Sequence, residues 1–353
     1  MRILIATDAW TPQVNGVVRS LQHTAREAKK LGADIQFMTP SDFRTIPMPT
    51  YPEVRLALAT RSMVARRMDT IGADFVHIAT EGPVGMLARS VCLSRGQPFT
   101  TSYHTRFPEY LAARAPVPQS LSYAFLRRFH NAGAGIMVST PTLEAELLGR
   151  GFRNIVRWSR GVDAEVFRPR TVEEIDDAML ASLPRPIFLF VGRVAVEKNI
   201  GTFLDLDLPG TKLVVGDGPS RKELEAAYPK AKFLGLREGE ALAKVYSSAD
   251  VFVFPSLTDT FGIVLLEALA SGVPVAAFPV TGPTDVIGSA PLDAPVGILD
   301  MDLRKAALGA LNLSRTDARD FALRHSWRAC TEQFLGNIDA AQALSLRTAA
   351  KTA

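Results

Sequence analysis

The sequence contains little cysteine and no long apolar run, which argues against several classes of protein. Its 353 residues include two cysteines, Cys92 and Cys330, which are too few and too far apart for a disulfide framework or a cysteine metal site. No apolar run approaches the roughly 20 residues that span a bilayer. The N-terminal run MRILIATDAW is too short for a signal peptide. These absences predict a cytoplasmic protein, either soluble or peripheral on the cytoplasmic face of a membrane.

Nucleic-acid-binding motifs and low-complexity tracts are also absent, although the charge is unevenly distributed. Residues 1–170 contain 22 Lys and Arg against 13 Asp and Glu, a balance of +9, and the remainder contains 18 against 23, a balance of −5. A basic N-terminal half favours an anionic partner, such as an anionic membrane surface or a phosphorylated acceptor. Scattered, solvated arginines are the alternative. Without interleaved aromatic residues, no nucleic-acid partner is expected.

The sequence does contain a sustained alternation of short apolar runs and helical patterns. The predicted strands are rich in Val, Ile, Leu and Phe, and they cover residues 3–7, 35–39, 75–79, 99–103, 136–139, 155–158, 187–191, 212–215, 232–234, 251–255, 275–278 and 297–299. An acidic stretch at 172–185 divides this series and is interpreted as a connector. Such continuous strands linked by helices predict an α/β protein of two doubly wound, Rossmann-like domains facing a central cleft.

Two stretches of the second half carry glycines and cations at predicted strand ends. In FVGRVAVEKN, Gly192 is followed by Arg193 and Lys198, and two cations near a strand's carboxyl end can clamp a diphosphate. A solvated surface turn is the alternative. In KLVVGDGP, Gly216 permits a tight strand-to-helix turn close to a ligand, or marks only a turn.

The stretch TDTFGIVLLEALASGVPV places one acid at each end of an apolar helix. Asp259 precedes the predicted helix and could be a simple N-cap. Glu267 lies among leucines and alanines, where a carboxylate is costly unless it is hydrogen-bonded, and a ribose offers suitable hydroxyls. The amides of 260–262 would lie at the positive end of the helix, facing an anion. Together these features predict a nucleotide-sugar ligand.

The first half contributes two further candidates. Asn15 and Gly16 open a helix after a long loop, and Gly16 can approach a diphosphate there. The stretch is not a G-x-G-x-x-G fingerprint, which argues against a dinucleotide dehydrogenase. His104 follows a buried strand in TSYHTRFPEY and is either structural or catalytic.

Taken with RGVDAEVFRP at 160–169, these stretches resemble the retaining GT-B glycosyltransferases of family 4. That family includes bacterial phosphatidylinositol mannosyltransferases and glycolipid synthases. The resemblance covers nearly the whole chain and depends on the number and order of the motifs. It implies an acceptor-binding domain over 1–170, a nucleotide-sugar-binding domain over 171–325, and a C-terminal helix over 326–353 that crosses back to the first domain.

The resemblance also implies a role for each candidate residue. Arg193 and Lys198 would neutralise the departing diphosphate, and Glu267 would hold the ribose. Asp259 takes the first position of the family's E-x7-E pattern, which binds donor-sugar hydroxyls; here the usual Glu is Asp. The other implied donor-site and catalytic positions are Gly16, His104, Gly216, Leu234, Thr260, Phe261 and Gly262.

The implied reaction moves a hexose from GDP-mannose or a UDP-hexose to an acceptor, without a cofactor or metal. Asp205-x-Asp207 has the spacing of a metal motif, but it is predicted to lie on the surface of a helix. The acceptor predicted best is a membrane lipid such as diacylglycerol or a phospholipid, with a glycan as the other possibility. Arginine-rich segments at 65–68 and 126–129 would dock on anionic lipid. The alternatives are a nucleotide-sugar epimerase of similar fold and an inactive nucleotide-sugar-binding protein.

Overall fold

A computed structural model describes residues 1–12, 16–48, 51–112 and 118–352, and the chain forms two compact units. The first unit combines Met1–Ser159 with Trp327–Ala353, and the second is Arg160–Ser326. The segment 160–170, assigned above to the first domain, lies in the second unit.

The first unit is built on a sheet of six parallel strands with the order β2-β1-β5-β6-β7-β8. Two further strands, β3 and β4, form an antiparallel hairpin. The strands are β1 (Arg2–Ala6), β2 (Asp34–Met38), β3 (Arg44–Met48), β4 (Tyr51–Leu58), β5 (Phe75–Ile78), β6 (Phe99–Ser102), β7 (Gly135–Val138) and β8 (Ile155–Arg157). Because β5 and β6 are wholly buried, helices cover both faces of the sheet.

In the described ranges, six helices follow these strands in the first unit. They are α1 (Gly16–Lys30), α2 (Arg61–Ile71), α3 (Pro83–Arg95), α4 (Phe107–Ala112), α5 (Gln119–His130) and α6 (Pro141–Gly149). Local sequence sets several of their ends. The Thr60 and Thr140 side chains accept hydrogen bonds from backbone amides in the first turns of α2 and α6, and α2 and α3 end at Gly72 and Gly96 in the left-handed region.

The second unit repeats the architecture with the strand order β11-β10-β9-β12-β13-β14, again all parallel. Its strands are β9 (Ile187–Val191), β10 (Thr211–Val215), β11 (Lys232–Phe233), β12 (Val251–Phe254), β13 (Val275–Ala277) and β14 (Gly297–Leu299). Its helices are α7 (Val172–Ile175), α8 (Ala178–Ala181), α9 (Ile200–Asp205), α10 (Arg221–Ala227), α11 (Gly239–Ser248), α12 (Ile263–Ala270), α13 (Thr281–Ile287), α14 (Leu303–Ala310) and α15 (Arg315–Leu323).

The twelve predicted strands are all present, with ends that differ from the prediction by no more than one residue. The prediction of two doubly wound parallel sheets is confirmed. The β3–β4 hairpin was not predicted. The interpretation of 172–185 as a connector is wrong, because this stretch forms α7 and α8, and Ile175, Leu180 and Leu183 are buried in the core of the second unit.

The last helix, α16 (Trp327–Thr352), returns to the first unit. Asn337 donates from Nδ2 to the carbonyl of Arg157 at 2.7 Å, and the Phe334 ring lies 4.8 Å from that of Trp158. In the ranges that the structure describes, no helix combines the length and the hydropathy needed to cross a bilayer.

Candidate active site

The carboxyl ends of β9 and β12 bring three residues of the predicted donor site to one edge of the second sheet. These parallel strands are neighbours, although β10 and β11 lie between them in sequence. The chain leaves β9 toward Arg193 and Lys198, and it leaves β12 toward Asp259. The strand order reverses between β9 and β12, and doubly wound sheets bind ligands at such a point. The topology therefore places these three residues where a ligand is expected.

A short ion pair joins the two loops at this edge. Nζ of Lys198 donates to Oδ1 of Asp259 across 2.6 Å, and the two side chains are 22% and 16% exposed. The next residue, Asn199, has a left-handed φ of 52° and donates from Nδ2 to the carbonyl of Pro255 at 3.1 Å. The loop after β9 is thus fixed to the loop after β12 by one ionic contact and one amide contact.

The second carboxylate oxygen of Asp259 is an open acceptor. Oδ2 is buried and has no hydrogen-bond partner in the part of the chain that the structure describes. The alternative of Asp259 as an N-cap is wrong, because α12 begins at Ile263 with Gly262 as its N-cap. A buried acceptor without a donor costs about 1–3 kcal/mol. A ligand hydroxyl that donates to Oδ2 would remove that cost.

The loop before α12 is held by close backbone packing. Phe261 is buried, and Gly262 has a φ of +81°, where a Cβ would lie 3.1 Å from the Phe254 ring. A Cβ on Gly282, in the first turn of α13, would lie 2.8 Å from the Phe261 carbonyl oxygen. Thr260 is half-buried in the same loop. The predicted anion-binding amides thus precede α12, at its positive end.

Glu267 is buried on α12 and is oriented by a tyrosine. Its residue exposure is 4%, and the Tyr246 hydroxyl on α11 donates to Oε2 at 3.0 Å. From the sequence, a ligand was expected to supply the required hydrogen bond, and the contact with Tyr246 was not predicted. The available signal was a hydroxyl-bearing aromatic residue on the apolar face of α11, in AKVYSSAD. Tyr246 therefore fixes the carboxylate that is predicted to hold the ribose.

Replacing Tyr246 by phenylalanine is expected to weaken donor binding about three- to tenfold, because it removes one hydrogen bond to a carboxylate without leaving a large cavity. Isothermal calorimetry with GDP-mannose and UDP-glucose measures the effect. Tyr228→Phe is the matched control, since the Tyr228 hydroxyl also bonds a carboxylate oxygen, Oδ1 of Asp205, at 2.6 Å on the same unit. Equal affinities in the two variants would contradict a donor-binding role for Glu267.

Glycine is required at position 216 because the backbone passes very close to Gly192, just after β9. Gly192 donates from its amide to the Val215 carbonyl at 3.0 Å, and a Cβ on Gly216 would lie 1.9 Å from the Gly192 carbonyl oxygen. Leu234 follows β11 and packs against the core. This close approach accounts for the glycine without a ligand, so the donor contacts predicted for Gly216 and Leu234 stay predictions.

The two candidates of the first unit lie after different strands. His104 follows β6, is half-buried, and presents its ring at 62° to the Trp158 ring with 5.7 Å between centroids. Gly16 is exposed and begins α1, where its carbonyl accepts from the Ser20 hydroxyl. Asn15 lies outside the described residues. The roles predicted for His104 and Gly16 stay predictions.

Asp8, which was not predicted from the sequence to have a role, caps α3. Its carboxylate accepts from the amides of Val84 at 2.8 Å and Gly85 at 3.2 Å, and from the Thr80 hydroxyl at 2.9 Å. A Cβ on Gly82 would lie 2.4 Å from Cγ of Asp8, so glycine is needed there. Burial raises the pKa of Asp8, and the nearby charge of Glu81 adds to this effect.

Asp205 and Asp207, which have the spacing of a metal motif, contact different partners. The helix α9 ends at Asp205, so Asp207 lies beyond the helix that was predicted to contain both. Asp205 accepts from Tyr228, and Asp207 lies 3.9 Å from Arg304. Among the described residues, no group of three or more His, Cys, Asp or Glu could hold a metal ion.

Comparison with known proteins identifies the family. Residues 14–166 match the family described as Glycosyltransferase Family 4, and residues 185–300 match Glycosyl transferases group 1. The chain is 30% identical over 367 residues to a GDP-mannose-dependent alpha-mannosyltransferase of Mycobacterium tuberculosis, covering 96% of this chain and 97% of that protein. The chain belongs to glycosyltransferase family 4. The predicted enzyme class, hexosyltransferase, is confirmed, and the epimerase alternative is set aside.

Two further comparisons give a glycolipid-synthase relative and a solved structure of similar fold. An alpha-monoglucosyldiacylglycerol synthase of Acholeplasma laidlawii is 24% identical over 325 residues, which cover 78% of this chain and 79% of that protein. Sucrose-phosphate synthase of Thermosynechococcus elongatus has a similar structure, with a TM-score of 0.76 at 20% identity, covering 97% of this chain and 99% of that one. This structural likeness confirms the GT-B fold.

Proposed function

We propose that this family 4 glycosyltransferase moves a hexose from a nucleotide sugar, GDP-mannose or a UDP-hexose, to a hydroxyl of a membrane lipid such as diacylglycerol or a phospholipid. The anomeric configuration is retained, and no metal takes part. The names of the mycobacterial mannosyltransferase and the Acholeplasma diacylglycerol-glycolipid synthase support this donor and acceptor class.

The observation that carries the proposal is the Lys198–Asp259 pair at the reversal of strand order. One oxygen of Asp259 orients the ammonium group of Lys198, and the other is a buried acceptor without a partner among the described residues. In the proposed complex a donor-sugar hydroxyl donates to Oδ2. Lys198 then faces the diphosphate that is bonded to the same sugar.

Departure of the diphosphate is the step that these groups assist. Arg193, Lys198 and the amide end of α12 stabilise the negative charge that develops on the leaving oxygen, without reorganising during the step. Glu267, oriented by Tyr246, accepts hydrogen bonds from the ribose hydroxyls. The bond between the sugar and the diphosphate oxygen breaks, and the acceptor hydroxyl attacks from the face that the diphosphate leaves. The departing diphosphate oxygen takes the hydroxyl proton, so the configuration is retained.

The proposed location is the cytoplasmic face of a membrane, with the first unit on anionic lipid. On α5, Leu121 is 64% exposed and Phe125 is 45% exposed, and Arg127 and Arg128 lie in the last turn of the same helix. Exposed apolar and cationic side chains on one helix favour an anionic bilayer surface.

Vesicle sedimentation tests this location. The protein is expected to pellet with vesicles that contain phosphatidylglycerol and to stay in solution with pure phosphatidylcholine. Because the Debye length falls from about 10 Å at 0.1 M salt to about 3 Å at 1 M, high salt is expected to release it. Equal binding to both vesicles, or binding that salt does not change, would rule the location out.

Radiolabel transfer tests the reaction. The purified protein is incubated with labelled GDP-mannose, UDP-glucose or UDP-galactose and a bacterial lipid extract, and label is followed into the organic phase. Transfer from one donor with an α linkage is expected. Donor binding without transfer would instead support an inactive nucleotide-sugar-binding protein.

A further inference from the structure

The first unit has its own reversal of strand order, and carboxylates lie there. The strands β1 and β5 are neighbours, while β2 lies on the other side of β1, so the order reverses between β1 and β5. Asp8 follows β1, and Glu81 follows β5. In doubly wound sheets this is the position at which ligands bind. The two carboxylates are therefore candidates for contact with a ligand of the first unit.

Asp8 is fully used by the fold. Its two oxygens accept three hydrogen bonds, from the amides of Val84 and Gly85 and from the Thr80 hydroxyl. These contacts fix the start of α3. No further ligand function is needed to account for Asp8.

Glu81 differs from Asp8, because a buried histidine holds only one of its oxygens. Nε2 of His130 lies 3.0 Å from Oε1 of Glu81, and an ionised carboxylate only accepts, so Nε2 is the donor. Nδ1 of His130 lies 2.8 Å from Oγ1 of Thr101. His130 is completely buried, whereas the Glu81 side chain is 19% exposed. Both ring nitrogens of His130 are thus engaged, and its contact with Glu81 fixes the direction of an accessible carboxylate.

The second oxygen of Glu81, Oε2, has no hydrogen bond to any residue within the described ranges. Glu146, another carboxylate of the first unit, uses its two oxygens to bind Arg106 at 2.6 Å and Arg150 at 3.1 Å. Glu81 is bonded to no arginine or lysine in the described part of the chain. His130 fixes the position of this carboxylate through Oε1, and Oε2 has no protein partner within the described ranges. Such a carboxylate is suited to accept a hydrogen bond from a ligand hydroxyl.

We propose that Glu81 is an acceptor-binding residue, whose Oε2 accepts a hydrogen bond from a hydroxyl of the acceptor head group. The head group is therefore neutral and hydroxyl-bearing, such as the free glycerol hydroxyl of a diglyceride or the sugar of a glycolipid. An anionic phosphate at this position is repelled by Glu81 and by the nearby charge of Asp8. This inference rests on the proposed function, and it decides between the two lipid classes that the proposed function names.

Glu81→Gln tests the assignment with three short-chain probes: dioctanoylglycerol, octyl glucoside and dioctanoyl phosphatidylglycerol, whose head group is anionic and carries free hydroxyls. The wild-type enzyme is expected to glycosylate a neutral probe and to reject phosphatidylglycerol. The variant is expected to raise the KM for the neutral probe at least tenfold and to change kcat less than threefold. Its discrimination against phosphatidylglycerol is expected to fall. Donor hydrolysis without acceptor is expected to stay within twofold of wild type, a split that a merely structural role for Glu81 would not produce.

Three further variants keep the result interpretable. Glu144→Gln is the matched control, since Glu144 is a partly exposed carboxylate of the same unit that lies 3.6 Å from Arg157. Glu81→Asp keeps the charge and is expected to recover part of the lost acceptor affinity. His130→Asn is expected to raise the acceptor KM less than Glu81→Gln does. The double variant is expected to have the same acceptor KM as Glu81→Gln alone.

The outcomes separate this inference from the proposed function. If the wild-type protein neither hydrolyses any donor nor transfers its sugar, the proposed function itself is wrong. If the wild type is active but Glu81→Gln behaves as Glu144→Gln does, the role of Glu81 is overturned. Transfer to phosphatidylglycerol alone, or donor hydrolysis without transfer to either neutral probe, overturns the assignment of a neutral head group.

Discussion

Replacing Lys198 by alanine is expected to lower kcat about a thousandfold, which corresponds to about 4 kcal/mol of lost transition-state stabilisation. Lys198 is held at the reversal of strand order by a 2.6 Å contact with Asp259, in surroundings that exclude most water. A cation that is fixed before the reaction stabilises the leaving diphosphate without reorganisation. The leaving oxygen gains negative charge only as the bond between the sugar and the diphosphate breaks. The donor Kd is therefore expected to rise far less than kcat falls. Single-turnover kinetics and calorimetry separate these two quantities.

The same substitution also affects folding. From the sequence alone, Lys198→Ala is expected to leave folding nearly unchanged. The structure shows that it leaves the carboxylate of Asp259 without its cation, in a position that is only 16% exposed. Removing one partner of a shielded ion pair is destabilising, and we expect a loss of about 1–3 kcal/mol after allowing for the remaining exposure. Urea denaturation measures this loss.

A double variant separates chemistry from stability. Lys198→Ala combined with Asp259→Ala removes both charges, so the urea midpoint is expected to recover while activity stays low. Lys305→Ala is the matched control, because Lys305 forms a lysine–aspartate pair with Asp300 on the exposed surface of the same unit. Its activity is expected to equal that of the wild type. If Lys198→Ala retained more than a tenth of the wild-type kcat, the role given to the ammonium group would be wrong.

The parallel sheets could be predicted because their signal is local. Each buried strand is a continuous apolar run, and the alternation with helices implies parallel pairing. The β3–β4 hairpin was missed for a physical reason. Its strands contain Pro47 and Pro52, which remove ladder donors, and β3 is largely exposed, so neither strand shows a buried run.

The stretch 172–185 shows how composition misleads. Acidic residues and short apolar steps are typical of a linker, yet Ile175 and Leu180 each anchor a single helical turn in the core of the second unit. A one-turn helix has no amphipathic repeat that a sequence pattern can reveal. Tertiary packing, which is not visible in the local pattern, decides its structure.

The residues of the site were easier to predict than their partners. Arg193, Lys198 and Asp259 follow predicted strands, so the sheet topology alone brings them to one edge. The Lys198–Asp259 contact joins positions 61 residues apart, and the His130–Glu81 contact joins positions 49 residues apart. Nothing in one sequence pairs such distant side chains. They become visible only when the fold fixes the loops that carry them.

Lengthening Asp259 to glutamate is expected to change the choice of donor sugar. The extra methylene moves the carboxylate by about 1.5 Å. Because Oδ1 is fixed on Lys198 while Oδ2 is the buried open acceptor, this shift alters which sugar hydroxyl the second oxygen reaches. One methylene at a specificity site changes discrimination by about 10- to 200-fold. The ratio of kcat/KM for GDP-mannose to that for UDP-glucose is therefore expected to change at least tenfold.

The affinity for GDP and UDP without a sugar separates this effect from general damage. Neither nucleotide carries the hydroxyls that Asp259 is proposed to bind, so both Kd values are expected to stay within about threefold of wild type. Asp259→Asn removes the charge that orients Lys198, and it is expected to lower kcat/KM for every donor together, leaving the ratio between donors unchanged. Asp300→Glu applies the same lengthening to the exposed pair with Lys305 and is expected to change nothing. An unchanged donor ratio in Asp259→Glu would mean that this carboxylate only positions Lys198, and that the sugar is selected by other groups.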